Sequence, residues 1–240
     1  MNPACLDHLQ YQQRWNFFSS IIILYESEIW GPNFGTKNLY NLGNKTENIH
    51  LHCCKWALNV SRMCSNSGAL GELGRYPLLQ NIIINVIKYW MHLESLPEDR
   101  LLYKVYNIAK QKKLKWFKYV TECLKLINID IETVSLSDLV SKNKFLKEIK
   151  EKLNAHFDTK WTKLITSGPN PKKHNSKLRT YTTFKPNMCF EKYLTSNIAL
   201  KRRETFTNLR LSEHKLAIES DRKRRIKLKD KMCTQCSIAW

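Results

Sequence analysis

The run LLQNIIINVIKYWMHL, residues 78–93, limits the possible folds more than any other stretch of this chain. It holds sixteen residues with no Gly or Pro and one charged side chain, Lys88. That is too long for an ordinary strand and suits a largely buried helix. A helix that is apolar on most sides has to be surrounded by other elements. The supply of turn formers points the same way. Only seven Gly and seven Pro occur in 240 residues, between long stretches rich in Lys, Leu and Ile, which favours helices over a many-stranded sheet. The expected fold is mainly α, an irregular helical bundle with a short strand or hairpin near 177–185.

Neighbouring segments extend this pattern. Residues 14–30 read as a buried strand or helix ending at Gly31-Pro32, and residues 31–47 as a loop. Ile49, Cys53, Trp56 and Val60 recur at helical spacing, predicting a helix near 47–60 with that face inward. Gly68 and the stretch GELGRYP predict a break. Residues 101–127 form the most regular helical segment, with Leu114, Phe117, Val120, Leu124 and Ile127 as its stripe. Ser135 or Ser137 is placed to cap a further helix carrying Leu139, Phe145, Ile149, Leu153 and Phe157. Gly168-Pro169-Asn170-Pro171 reads as a linker. The expected division is therefore 1–167, a linker at 168–176, and a basic helical region at 177–240.

Charge bears on partners. The chain carries 40 Lys and Arg against 21 Asp and Glu, a formal net charge of +19. Residues 1–120 hold 14 bases and 8 acids, and residues 121–240 hold 26 and 13. The excess thus lies mostly in the second half. A field of this sign attracts polyanions and releases counterions when they bind. RNA or DNA is the expected partner. Lys201, Arg202, Arg203, Arg210, Lys215, Arg222, Lys223, Arg224 and Arg225 are the expected phosphate contacts, because a guanidinium fork pairs two oxygens at once. Phe206, Leu209, Leu216 and Ile218 would dock that helix on the core. Trp116, Phe117 and Tyr181 are candidate stacking rings. The alternative is a charged helix exterior that only solvates the fold.

Other chemistry is sparse. Cys233 and Cys236 have the two-residue spacing of a zinc pair, and a tetrahedral site needs four ligands. Zinc is expected only at an incomplete site, unless His214 or Cys189 folds back to it. The eight cysteines read as reduced thiols, since no signal-peptide pattern opens the sequence. An intracellular protein of nucleus or cytoplasm is expected, with no membrane span and no small-molecule substrate. Walker-type, Gly-x-Ser-x-Gly and His-Glu-x-x-His signatures are absent, as is an Asp-Asp pair suited to two catalytic magnesium ions. No catalytic centre is expected.

Several stretches carry a family resemblance. ILYESEIWGPN (residues 23–33) resembles the LYG-[CS]-E-[IV]-WG stretch that follows the polymerase palm in LINE-type, non-LTR retrotransposon reverse transcriptases of invertebrates. Glu26 stands where those proteins carry Gly. IHLHCCKWALNVSRMCSNSGALGELGRYPL (residues 49–78) resembles their VHLKFCKYLLGV…GELGRYPL segment. KLRTYTTFK (177–185), EKYL (191–194) and NLRLSEHKLAIE (208–219) resemble the end of the same polyproteins. The resemblance implies a region downstream of endonuclease and palm, without the catalytic aspartates of an RNA-directed DNA polymerase. It also implies that Cys233 and Cys236 form the first half of a small zinc module. Competing expectations remain: a helical scaffold protein with no nucleic-acid role, an enzyme completed in trans by a separate polymerase chain, and a decayed element copy with no function.

Overall fold

A computed structural model describes residues 24–33, 45–131, 139–167, 178, 181–196 and 198–214. Their helices, in chain order, are α1 (Ser27–Trp30), α2 (Lys45–Ala57), α3 (Asn66–Glu72), α4 (Leu78–Glu94), α5 (Leu101–Gln111), α6 (Lys115–Leu126), α7 (Leu139–Ser167), α8 (Tyr181–Phe184) and α9 (Leu200–Arg210). Single 3₁₀ turns form at Gly31–Asn33 and Lys192–Leu194. The fold is mainly helical, as expected. The short strand element is not found among the described residues. Tyr181–Phe184 is a helical turn instead, and the only β-type pairing described is an isolated antiparallel bridge between Leu73 and Phe190. The stretch at 177–185 alternates imperfectly, and among the described residues no second strand is present to complete a ladder.

Backbone contacts divide the chain into two compact units. One comprises Met1–Leu9, Leu51–Arg75 and Trp161–Trp240, the other Gln10–His50 and Tyr76–Lys160. The expected linker at 168–176 lies outside the described residues.

The second of these units is organised around α4. Leu79, Ile82, Ile83, Val86, Ile87 and Trp90 of that helix are buried with Val120, Cys123 and Leu124 of α6 and Ile149, Leu153 and Phe157 of α7. Burial pushes the Cys123 thiol up to about 12, so it stays protonated and packs as a small apolar group. Polar pairs at the edge of this core fix its register. Glu47 accepts a hydrogen bond from the Leu78 backbone N–H at 2.9 Å, placing a carboxylate at the N-terminus of α4. The Trp90 indole donates to Tyr106 Oη at 3.1 Å, and Tyr106 donates to Glu94. Tyr76 donates to Asp158 at 3.0 Å, and its burial raises the phenol to about 12.

Three local expectations are corrected. The segment 101–127 is two helices, not one: Lys113 adopts φ 47 and ends α5 without any Gly to announce it. The face of α2 predicted to point inward is turned outward, with Ile49 49% and Trp56 70% exposed, while Leu51, Cys54 and Leu58 are buried. The residues before Arg75 do not break the chain. Ser65 caps α3 by accepting from the Gly68 N–H, and that helix continues to Glu72. Ser135 and Ser137 lie outside the described residues. No described helix is long and apolar enough to cross a membrane.

Candidate nucleic-acid interface

The first unit is built on a single carboxylate set in an apolar stretch. Glu72 ends α3 within ALGEL and has no exposed surface at all. A buried charge persists only when it is paired and hydrogen-bonded. Arg210, at the end of α9, provides that partner. Its Nε lies 3.0 Å from each Glu72 oxygen, and one terminal nitrogen lies 3.0 Å from Oε1 and 3.2 Å from Glu191 Oε1. Tyr193 Oη donates to Glu72 at 2.6 Å and lies 2.8 Å from Thr207 Oγ1. Lys185, itself buried, pairs with Glu191 and lies 3.4 Å from Cys189 Sγ.

Aromatic rings surround the cation. The Arg210 guanidinium carbon lies 4.6 Å from the Phe184 ring centre, 5.5 Å from Tyr193, 5.6 Å from Phe206 and 5.9 Å from Tyr181. The negative faces of such rings attract a cation, more so where water is excluded. Burial opposes the charge on Arg210, but Glu72 outweighs it and holds the guanidinium above its ordinary pKa. Burial and then Glu72 raise the Tyr181 and Tyr193 phenols, so both remain donors.

Two glycines let this cluster close. A Cβ at Gly71 would fall 2.7 Å from both Trp161 Cζ2 and Tyr181 Oη. Gly74 takes φ +56, and a Cβ there would fall 2.3 Å from the Phe190 backbone nitrogen. The bridge between Leu73 and Phe190 and the Glu191 N–H to Glu72 carbonyl bond at 3.1 Å need that close approach.

Of the nine expected phosphate contacts, Lys215, Arg222, Lys223, Arg224 and Arg225 lie outside the described residues, as do Cys233 and Cys236 of the expected zinc pair. Lys201, Arg202, Arg203 and Arg210 all fall on α9, and the structure separates them. Arg210 is corrected from phosphate contact to structural cation, since it is 9% exposed and held by Glu72. Arg203 is half-buried and donates to the Leu194 carbonyl at 2.8 Å. Lys201 and Arg202 are exposed. The one acid of α9, Glu204, accepts from Asn59 at 2.7 Å, nearly opposite Arg202 around the helix. Phe206 and Leu209 do not dock the helix on the core. They are 44% and 49% exposed, and with Arg202 they fall at i, i+4 and i+7 on one face.

The expected stacking rings are also corrected. Tyr181 is fully buried, and Phe117 packs against the α4-centred core of its own unit. Trp116 donates to the Glu28 carbonyl at 2.8 Å and meets Tyr89 edge-on. Phe206 is the ring that sits beside exposed cations. Part of it packs edge-on against Tyr193, with ring centres 4.8 Å apart, and the rest meets solvent. Sequence reasoning missed Glu72, Lys185, Glu191 and Tyr193. The signal for Glu72 was a lone acid inside an apolar helical run. No metal-sized group of His, Cys, Asp and Glu occurs among the described residues. No family model, no curated protein and no solved structure matches this chain.

Proposed function

We propose that this chain is the post-palm region of a LINE-type reverse transcriptase polyprotein, and that it binds single-stranded RNA or DNA without sequence preference and without a polymerase centre of its own. The observation that carries this reading is the convergence of the resembling stretches on one cluster. GELGRYPL contributes Glu72, EKYL contributes Glu191 and Tyr193, KLRTYTTFK contributes Tyr181, Phe184 and Lys185, and NLRLSEHKLAIE contributes Arg210. Stretches separated by more than a hundred residues thus interlock through specific polar contacts. A further detail supports the same reading: Glu26, standing where the resembling proteins carry Gly, adopts a left-handed conformation at φ 49 that favours Gly.

The binding part of the proposal rests on α9. The Glu72–Arg210 cluster anchors its C-terminal end, and Lys201, Arg202 and Phe206 project outward from the same helix. Cations beside an exposed ring suit a flexible strand, whose phosphates take the charges and whose bases take the ring. Titrating the full chain with labelled single-stranded RNA at low and moderate salt tests this. Steep weakening with salt is expected, and absence of binding at low salt refutes it. Salt-insensitive capture in a stoichiometric protein complex, with no RNA bound, would favour the scaffold reading.

A further inference from the structure

Helix α5 has two apolar faces, and among the described residues only one of them is packed. Tyr106 is buried and Tyr103 half-buried on the inner side, where Tyr106 bonds Trp90 and Glu94. On the opposite side Leu101, Val105 and Ile108 fall at i, i+4 and i+7 and are 76%, 55% and 51% exposed. Leu102 flanks them at 44%, and Leu114, just beyond the end of α5, is 49% exposed. Scattered apolar side chains are normal on a surface, but a continuous aliphatic ridge in helical register marks an interface.

Charge around the ridge identifies what fits it. Lys104 borders it, Lys112 continues it by one turn, and Lys113 follows, all exposed, while the exposed Glu98, Asp99 and Arg100 precede its other end. Lys110, on the inner side, is neutralised by Glu94 at 2.8 Å. The ridge therefore runs into a cationic end. We propose that α5 docks an amphipathic helix of a partner protein, one whose apolar stripe is flanked by Asp or Glu. A second copy of this chain is a poor occupant, since each copy brings a net charge of +19. Nucleic acid would satisfy the lysines but leave the aliphatic groups without apolar partners. A membrane-bound helix buries a broad apolar face, whereas α5 offers one ridge on a helix whose other side is fixed in a core. A partner helix supplies both an apolar stripe and carboxylates.

The test uses the full-length chain and two synthetic helical peptides with the same Leu stripe, one flanked by Glu and one by Lys. Fluorescence anisotropy is expected to show binding of the Glu-flanked peptide only. V105D/I108D, with unchanged circular dichroism, should weaken it about tenfold or more. K112E/K113E should shift preference toward the Lys-flanked peptide. Three outcomes overturn the proposal: equal binding of both peptides, no effect of V105D/I108D, or no peptide binding, which uptake onto phosphatidylcholine–phosphatidylserine vesicles would turn into a membrane assignment. Self-association by light scattering that V105D/I108D abolishes would replace the proposed partner with a second copy.

Discussion

Replacing Arg210 with Met leaves the Glu72 carboxylate fully buried, with only the Tyr193 and Tyr181 phenols of the cluster left to face it. Three close nitrogen–oxygen contacts at 3.0 Å are lost, while the unbranched thioether chain still fills the space between Phe184, Tyr193 and Phe206. The effect is therefore chiefly electrostatic. Stranding one member of a buried ion pair costs about 3–5 kcal/mol. Removing both charges costs far less, so E72Q/R210M should lie within about 2 kcal/mol of the parent, a strongly non-additive result. Two compact units make a single unfolding midpoint ambiguous, so hydrogen exchange under increasing urea is the appropriate assay. Peptides covering 66–75 and 200–214 should lose protection, while those covering α4 and α6 should not. A cost for R210M below about 1 kcal/mol, or a double variant no more stable than the single, would refute the reasoning.

Other substitutions probe the same account. Glu26→Gly removes left-handed strain at φ 49 and should stabilise its unit by about 0.5–1 kcal/mol, read as slower exchange in α1. A destabilising result would show that the Glu26 side chain matters more than its backbone. Gly74→Ala meets the Phe190 backbone at 2.3 Å and should cost roughly 2–4 kcal/mol in urea unfolding. A Cβ at Gly68 meets the ends of the Leu211 and Leu178 side chains, at 2.7 and 3.3 Å, rather than backbone, so Gly68→Ala should cost less. Burial works against the Glu94 charge, but hydrogen bonds from Lys110 and Tyr106 overcome it and hold the carboxyl below its ordinary value. Its stabilisation is then full above the unfolded-state value and fades as pH falls through the lower folded one. Wild type should exceed E94Q by about 1 kcal/mol or less at neutral pH, and the gap should close in acid.

The helical class and the positions of α4 and α7 were legible because apolar residues there repeat at helical spacing over several turns. Ile149, Leu153 and Phe157 are buried as that spacing requires. The break at Lys113 was not legible, since a left-handed Lys carries no sequence mark. Nor was the inward face of α2: its Ile49, Cys53 and Trp56 periodicity competes with Leu51, Cys54 and Leu58, and packing chose the second set. In the candidate site, basic residues identified α9 but could not separate Arg210 from Arg202. That distinction depends on Glu72, which lies 138 residues away along the chain. Composition counts cations; only the fold shows which of them are already paired.

The most direct test of the account is the salt dependence of single-stranded RNA binding, compared between the parent chain and K201A/R202A. The logarithm of the binding constant should fall linearly with the logarithm of salt concentration, and the double variant should flatten that slope by about 1 to 2 while leaving sequence preference unchanged. An unchanged slope in K201A/R202A, with binding otherwise intact, would contradict the assignment of α9 as the nucleic-acid face.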